Sequence, residues 1–256
     1  MENFLGNSGF QILIILFSAH LLGDFVFQTD KLIKNKKRPF YFITHIIIVA
    51  VLTYFLLGLW KLWYVFIVIA FTHSIIDYGK LKFEKKKSST QYFFYDQGSH
   101  FLVLIILSII ITESGNLKPF WTEILGKGFI DILIITSGLI LVLKVSGIII
   151  GMLVKPLIKK IDKPKDSKKK KKGIKGIDGG GEIIGLLERL LIFFFILNGI
   201  WSAIGFLVAA KSVFRFGELK DRENRIEAEY ILIGTLYSFS FGIVFSWLTK
   251  FALSIQ

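Results

Sequence analysis

The chain has 256 residues, 53% of them hydrophobic, with 26 Phe, a mean hydropathy of +0.62 and a formal net charge of +13. Apolar residues in long blocks, with charge between them, exclude a soluble domain and a disordered chain, and the lack of cysteine excludes a disulfide scaffold. The basic excess lies in the loops, which fits topology control in an integral membrane protein and argues against a nucleic-acid partner.

Seven apolar segments are expected to cross or enter the bilayer, at 9–29, 41–59, 61–79, 99–112, 129–153, 183–210 and 230–249. Lipid offers the backbone no hydrogen bonds, so segments this long and apolar must be helices. The expected fold is therefore an all-α, polytopic transmembrane helical bundle. The first segment has no positive charge before Lys31 and reads as a retained span rather than a cleaved signal. The fourth is short and is expected to begin earlier, near Tyr92.

Lysines follow alternate spans. Lys31, Lys34, Lys36, Lys37 and Arg38 come after the first, and Lys80, Lys82, Lys85, Lys86 and Lys87 after the third. Lys155, Lys159, Lys160, Lys163, Lys165, Lys168 to Lys172 and Lys175 come after the fifth, while the opposite connections hold only Lys61, Lys118 and Lys127. Basic loops stay cytoplasmic, so the N-terminus is expected outside and the lysine-rich linker inside. The linker reads as a solvated tether with some attraction to anionic membrane lipids. It divides the chain into a five-span block at 1–154, a linker at 155–180 and a two-span block at 181–256.

The last block is harder to orient. Asn198-Gly199 interrupts segment 183–210, leaving one tilted helix or two half-helices as readings. The next loop carries Lys211, Arg215, Lys220, Arg222 and Arg225, an unusually basic exterior if 183–210 crosses once. A re-entrant pair would put that loop inside.

All four histidines lie in or beside apolar spans. His20 and Asp24, His73 and Asp77, and Asp96 and His100 are each four residues apart, a spacing that puts both side chains on one helix face. Gln28 lies one turn beyond Asp24, Gln97 follows Asp96, and His45 has no such carboxylate. Measured from the basic loops, all four histidines and the three aspartates fall toward one membrane level. An internal echo supports this: His20 to His45 spans 25 residues and His73 to His100 spans 27, each unit a His-x-x-x-Asp helix, a basic loop and a histidine-bearing return helix. Such a parallel repeat of two-helix units would put a shared site at its centre.

Ionisable groups in a bilayer face a cavity, a partner or a ligand. Mixed imidazole and carboxylate donors suit a divalent cation such as zinc, manganese or iron, with His20, His45, His73, His100, Asp24 and Asp77 as candidate ligands. Asp24, Asp77 or Asp96 would act as general base on a metal-activated water, with Glu188 as a further catalytic or orienting carboxylate. Gln28, Gln97, Gly180, Gly181, Arg189, Lys211 and Arg215 are candidates for substrate contact or for structural pairing, Lys211 and Arg215 with Glu227 and Glu229. The glycines at 179–181 lack the Lys and Ser/Thr of a P-loop, although helix-start amides suit a lipid phosphate. Gly181 and Gly185 form a small-xxx-small step, as do Gly147 and Gly151. The plainer reading of the histidines is a His–Asp network that joins helices.

His20-Leu-Leu-Gly23-Asp24-Phe25 with Gln28, His73-x-x-x-Asp77, Asp96-Gln97-x-x-His100, Gly180-Gly181-x-x-x-Gly185-x-x-Glu188-Arg189, Ala210-Lys211-Ser212 and Glu229-Tyr230 through Gly234-Thr235 together resemble the bacterial membrane family designated domain of unknown function 3307. The resemblance implies a multi-pass protein of the bacterial cytoplasmic (inner) membrane and supplies no activity. The His-x-x-x-Asp helices are similar, more distantly, to membrane-bound metal-dependent hydrolases. The function expected is metal-dependent hydrolysis of a lipid-linked or membrane-proximal phosphoester at the cytoplasmic leaflet. The alternatives are a transporter or channel using the same polar cluster, and a non-catalytic membrane scaffold or partner protein.

Overall fold

The computed structural model describes residues 7–83, 89–115, 117–161, 179–216 and 225–256, with side chains of 7, 83, 89, 155, 157–161, 214–216 and 225–230 left aside. Every regular element among the described residues is helical. Six helices are long and apolar enough to cross a membrane: Ser8–Phe27, Pro39–Leu57, Tyr64–Lys82, Thr90–Glu113, Lys127–Val154 and Ile231–Ser254. The protein is a polytopic helical bundle. Most of the lysine-rich linker, the loop at 84–88 and the loop at 217–224 lie outside the described residues.

Two compact units divide the chain, Met1–Ile140 with Phe251–Gln256, and Leu141–Lys250. The division falls inside the fifth span, short of residue 154, where the sequence suggests a boundary.

In the first unit, α1 (Asn7–Leu21) runs into a π-helical turn at Leu22–Phe27. After a short α2 (Asp30–Asn35), Pro39 opens α3 (Pro39–Leu57) at its first position, where no backbone donor is lost. Gly58 closes α3 in the left-handed region, its N–H donating to the Tyr54 carbonyl. Next come α4 (Tyr64–Phe83), α5 (Ser89–Glu113), a single short α6 (Phe120–Leu125) and α7 (Lys127–Ile140). α5 begins ten residues before the apolar run at 99, so it carries Asp96 and His100 on one continuous helix.

Ile12, Ile15 and Leu16 of α1, Val49 and Ala50 of α3, Leu104, Leu107 and Ile111 of α5, and Ile130 and Leu133 of α7 form the core. Lipid is as apolar as these side chains, so their association depends on close fit and polar contacts. One such contact is Ser18 Oγ to Ser137 Oγ at 2.8 Å, between α1 and α7. Another is the Trp121 indole N–H, which donates to the Phe55 carbonyl at 2.7 Å. Outward-facing Phe40, Trp63 and Phe71 remain exposed, as lipid-facing side chains should be. At the end of the chain, Gln256 exchanges two hydrogen bonds with Lys127, so the C-terminus sits at the start of α7.

In the second unit, a π-helical turn at Leu141–Val145 leads into α8 (Ser146–Ile161). Segment 183–210 is two helices, α9 (Gly180–Leu197) and α10 (Trp201–Phe216), rather than one span. Gly199, at φ +75°, makes the break, and Lys250 Nζ donates to the Ile196 carbonyl, which also accepts from the Gly199 N–H. Ile192 and Ile196 pack against Ile204 of α10 and Phe239 of α11 (Arg225–Ser254). Near the other end, Lys211 Nζ lies 2.5 Å from the Glu188 carboxylate, so α9 and α10 form an antiparallel hairpin.

Candidate metal centre

Four helices of the first unit bring the histidines and aspartates together. α1 and its π turn supply His20 and Asp24, α3 supplies His45, α4 supplies His73 and Asp77, and α5 supplies Asp96, Gln97 and His100. His20, His45, His73, Asp77, Asp96 and His100 are all buried. A wider π turn re-aims the side chains beyond it. Asp24 sits in that turn and presents Oδ1 to two other helices, 3.4 Å from His45 Nε2 and 3.5 Å from His73 Nε2. Gly23 permits the approach: a Cβ there would lie 2.8 Å from Val49 Cγ2.

Asp24, His45 and His73 lie close enough together that they could hold a metal ion. His45 Nε2 and His73 Nε2 are 3.1 Å apart, and Asp77 Oδ2 lies 3.5 Å from the first and 3.7 Å from the second. Two N/O donors at about 2.0–2.1 Å from a tetrahedral ion stand roughly 3.3–3.4 Å apart. Five edges of the figure Asp24 Oδ1, His45 Nε2, His73 Nε2, Asp77 Oδ2 thus run from 3.1 to 3.7 Å. Beyond it, His100 Nε2 lies 3.7 Å from Asp77 Oδ1 and 3.8 Å from Asp96 Oδ1. A void of about 10 Å³ beside His20, His73 and His100 has room for about one water.

The carboxylates have an inner and an outer side. Gln97 donates to Asp24 Oδ2 at 3.4 Å and to Asp96 Oδ2 at 3.1 Å, and its Oε1 lies 3.4 Å from His20 Nε2. Lys80 donates to the same Asp96 Oδ2 at 2.8 Å, and Lys36 Nζ lies 2.8 Å from Asp77 Oδ2. Asp24 Oδ1, Asp96 Oδ1 and His100 Nε2 are buried with no hydrogen-bond partner. Since an unmade hydrogen bond at a buried polar atom costs about 1–3 kcal/mol, three such atoms aimed at one centre mark a place for a ligand.

Lys36 and Lys80 are the residues that sequence reasoning missed. Both read there as loop lysines, though Lys80 stands three residues after Asp77 on the same helix face. Gln28 lies at the edge of the cluster with its Nε2 buried and unpartnered.

Glu188, Arg189, Gly180, Gly181 and Lys211 belong to the other unit. Glu188 pairs with Lys211, so the partner of Lys211 differs from the one expected; Arg215, Glu227 and Glu229 lie outside the described side chains. Arg189, expected to form an ion pair or serve a site, donates instead from Nε to the Val142 carbonyl at 2.8 Å and from Nη1 to Ser238 Oγ at 3.0 Å. Val142 lies in the π turn, where the relaxed ladder leaves its carbonyl open to a side-chain donor. Gly185 and Gly147 make room for the guanidinium, at 3.2 and 3.6 Å from a built Cβ. Gly181 and Gly151 meet nothing within 4 Å, so neither completes a small-residue packing step.

Residues 12–125, the segment that carries the cluster, match the family described as "Protein of unknown function (DUF3307)". No curated protein and no solved structure matches the chain.

Proposed function

We propose that the cluster binds a divalent cation through His45, His73, Asp24 and Asp77 and that the protein hydrolyses a phosphoester of a membrane lipid or lipid-linked substrate. The observation that carries this reading is that four donors have five of their six mutual separations between 3.1 and 3.7 Å, and that Asp24 Oδ1 among them has no hydrogen-bond partner. A cation there would supply a water ionised near neutral pH and would polarise a phosphoryl oxygen. As the water oxygen bonds to phosphorus the ester P–O bond breaks, and the proton of the water passes to the leaving alkoxide. Lys36 and Lys80 offset the charge of Asp77 and Asp96 and offer ammonium groups to the phosphate. His20 and Gln97 hold the outer carboxylate oxygens.

The orientation follows the lysines. Lys31 to Arg38, Lys80 to Lys87 and the linker face the cytoplasm of a bacterial inner membrane, which opens the site to the cytoplasmic leaflet. The α9–α10 hairpin returns the chain to its starting face, so the basic loop after α10 is cytoplasmic too. The C-terminus, held by Lys127 at the start of α7, is then outside.

Elemental analysis of the purified chain tests the metal, and release of phosphate from phosphatidic acid or of p-nitrophenol from bis(p-nitrophenyl) phosphate tests the chemistry. We expect at least about 0.5 equivalents of metal, lost in His45→Ala and His73→Ala while both variants stay folded. Metal-free wild type whose melting temperature ignores chelators overturns the site. Metal-loaded protein that cleaves neither ester overturns the hydrolase reading.

A further inference from the structure

The four donors of the first site leave half of the cluster unused. His100 Nε2 and Asp96 Oδ1 are buried, lack hydrogen-bond partners and face one another at 3.8 Å, with the side chains 4% and 3% exposed. Asp77 closes this second group with the oxygen that the first does not use. Its Oδ2 faces His45 and His73 at 3.5 and 3.7 Å, and its Oδ1 faces His100 at 3.7 Å. Asp77, Asp96 and His100 bring their ligand atoms within 4.8 Å of one another, and so do Asp24, His45 and His73, with no residue shared.

We propose that the cluster is a two-cation centre, with a second divalent ion between His100 Nε2, Asp77 Oδ1 and Asp96 Oδ1 and with Asp77 as the bridging carboxylate. This rests on the first cation being bound as above.

The sequence echo supports two of its three ligands. Exchanging the His20–His45 unit with the His73–His100 unit turns His45 into His100 and Asp24 into Asp77, so ligands of the first ion have His100 and Asp77 as their counterparts. Asp96 is particular to the second unit, because Tyr41 stands at the matching position of the first. In the structure the His20 ring, the counterpart of His73, stands 4.8 Å from that of His100, and its Nε2 stands 3.8 Å from Asp24 Oδ2.

Charge and coordination define what the pair would take. Lys80 and Gln97 occupy only the outer oxygen of Asp96, so the inner one is free for an ion. Two dications together with Lys36 and Lys80 outweigh three carboxylates, so the centre needs an anion. Paired cations about 3.5–4 Å apart clamp the attacking and leaving oxygens of an in-line phosphoryl displacement. The substrate class narrows to a phosphate ester whose phosphoryl group spans both ions.

Manganese titration of the full chain in lipid nanodiscs, followed by electron paramagnetic resonance and metal counting, tests the pair. We expect two Mn²⁺ per chain, with the six-line signal of the first equivalent attenuated by exchange coupling as the second enters. His100→Ala and Asp96→Asn should each bind one Mn²⁺ and keep an uncoupled six-line signal, with melting curves and chromatographic profiles showing intact folding. His100→Gln gives a second reading of the same site should the alanine variant fail to fold. No Mn²⁺ bound at all defeats the single-ion reading and this one together. One Mn²⁺ in wild type, unchanged by His100→Ala or His100→Gln, leaves the first site standing and overturns the second.

Discussion

Gly23→Ala should weaken metal binding although residue 23 offers no ligand. A Cβ at this position falls 2.8 Å from Val49 Cγ2. Restoring an ordinary contact of about 3.4 Å moves the π turn and α3 apart by about 0.6 Å, an overpacking that costs roughly 1–3 kcal/mol. Asp24 is the next residue and His45 lies one turn before Val49, so the same movement carries their 3.4 Å spacing toward about 4.0 Å. Donors that far apart on a tetrahedral ion sit about 2.4–2.5 Å from it, beyond the roughly 2.0–2.2 Å of zinc ligation. The expected loss is about 10- to 100-fold in affinity, the size found when support of a ligand is disturbed. Isothermal titration of metal-stripped protein with Zn²⁺ measures it. Val49→Ala removes the clashing methyl, so the Gly23→Ala/Val49→Ala double variant should recover most of the affinity. Wild-type affinity in Gly23→Ala, or a double variant as weak as the single, refutes the link between helix approach and ligand spacing.

Arg189→Met should destabilise the protein by about 2–3 kcal/mol, since it removes charged-donor hydrogen bonds to the Val142 carbonyl and Ser238 Oγ. Thermal unfolding in detergent reads this, and metal content per folded chain should not change. Single cysteines at Lys37 and Ser212 should label from one membrane face, and those at Lys118 and Gln256 from the other. Labelling of Ser212 together with Lys118 would mean that the α9–α10 hairpin does not return the chain to its starting face.

The sequence carried the spans because apolar length is a composition signal, and it carried the grouping of His20, His45, His73 and His100 because the lysines measure depth. Two features were less legible. Asn198-Gly199 marked an interruption in segment 183–210 but left one tilted helix and two half-helices both open, and the left-handed φ of Gly199 decides for the hairpin. The π turns at Leu22–Phe27 and Leu141–Val145 leave no mark in hydropathy either, yet they aim Asp24 and open the Val142 carbonyl. Both depend on tertiary packing, which a periodic pattern does not record. Lys36 and Lys80 were hidden for another reason. A loop lysine that sets topology and one that reaches back to a carboxylate look the same until Nζ is placed 2.8 Å from Asp77 or Asp96.

The placement of those lysines bears on why the cluster differs from helix glue. A His–Asp network that only joined helices would satisfy its own donors and acceptors, because each one left open in a dry interior costs stability. Here Gln97 and Lys80 hold the outer oxygens of Asp24 and Asp96, and Lys36 offsets the charge of Asp77. Asp24 Oδ1, Asp96 Oδ1 and His100 Nε2, which face the other donors, are buried without a hydrogen-bond partner. On the reading proposed above, a cation bound among imidazole and carboxylate donors that face one another at 3.1–3.8 Å would offset their cost. A mutation on the outer shell should therefore act through the inner one: Gln97→Leu, which releases the outer oxygens without touching a ligand, should weaken Zn²⁺ binding about 10-fold or more. Gln97→Glu should not restore it, because a carboxylate cannot donate to Asp24 or Asp96. Equal Zn²⁺ affinity in wild type and Gln97→Leu would return the cluster to the status of glue.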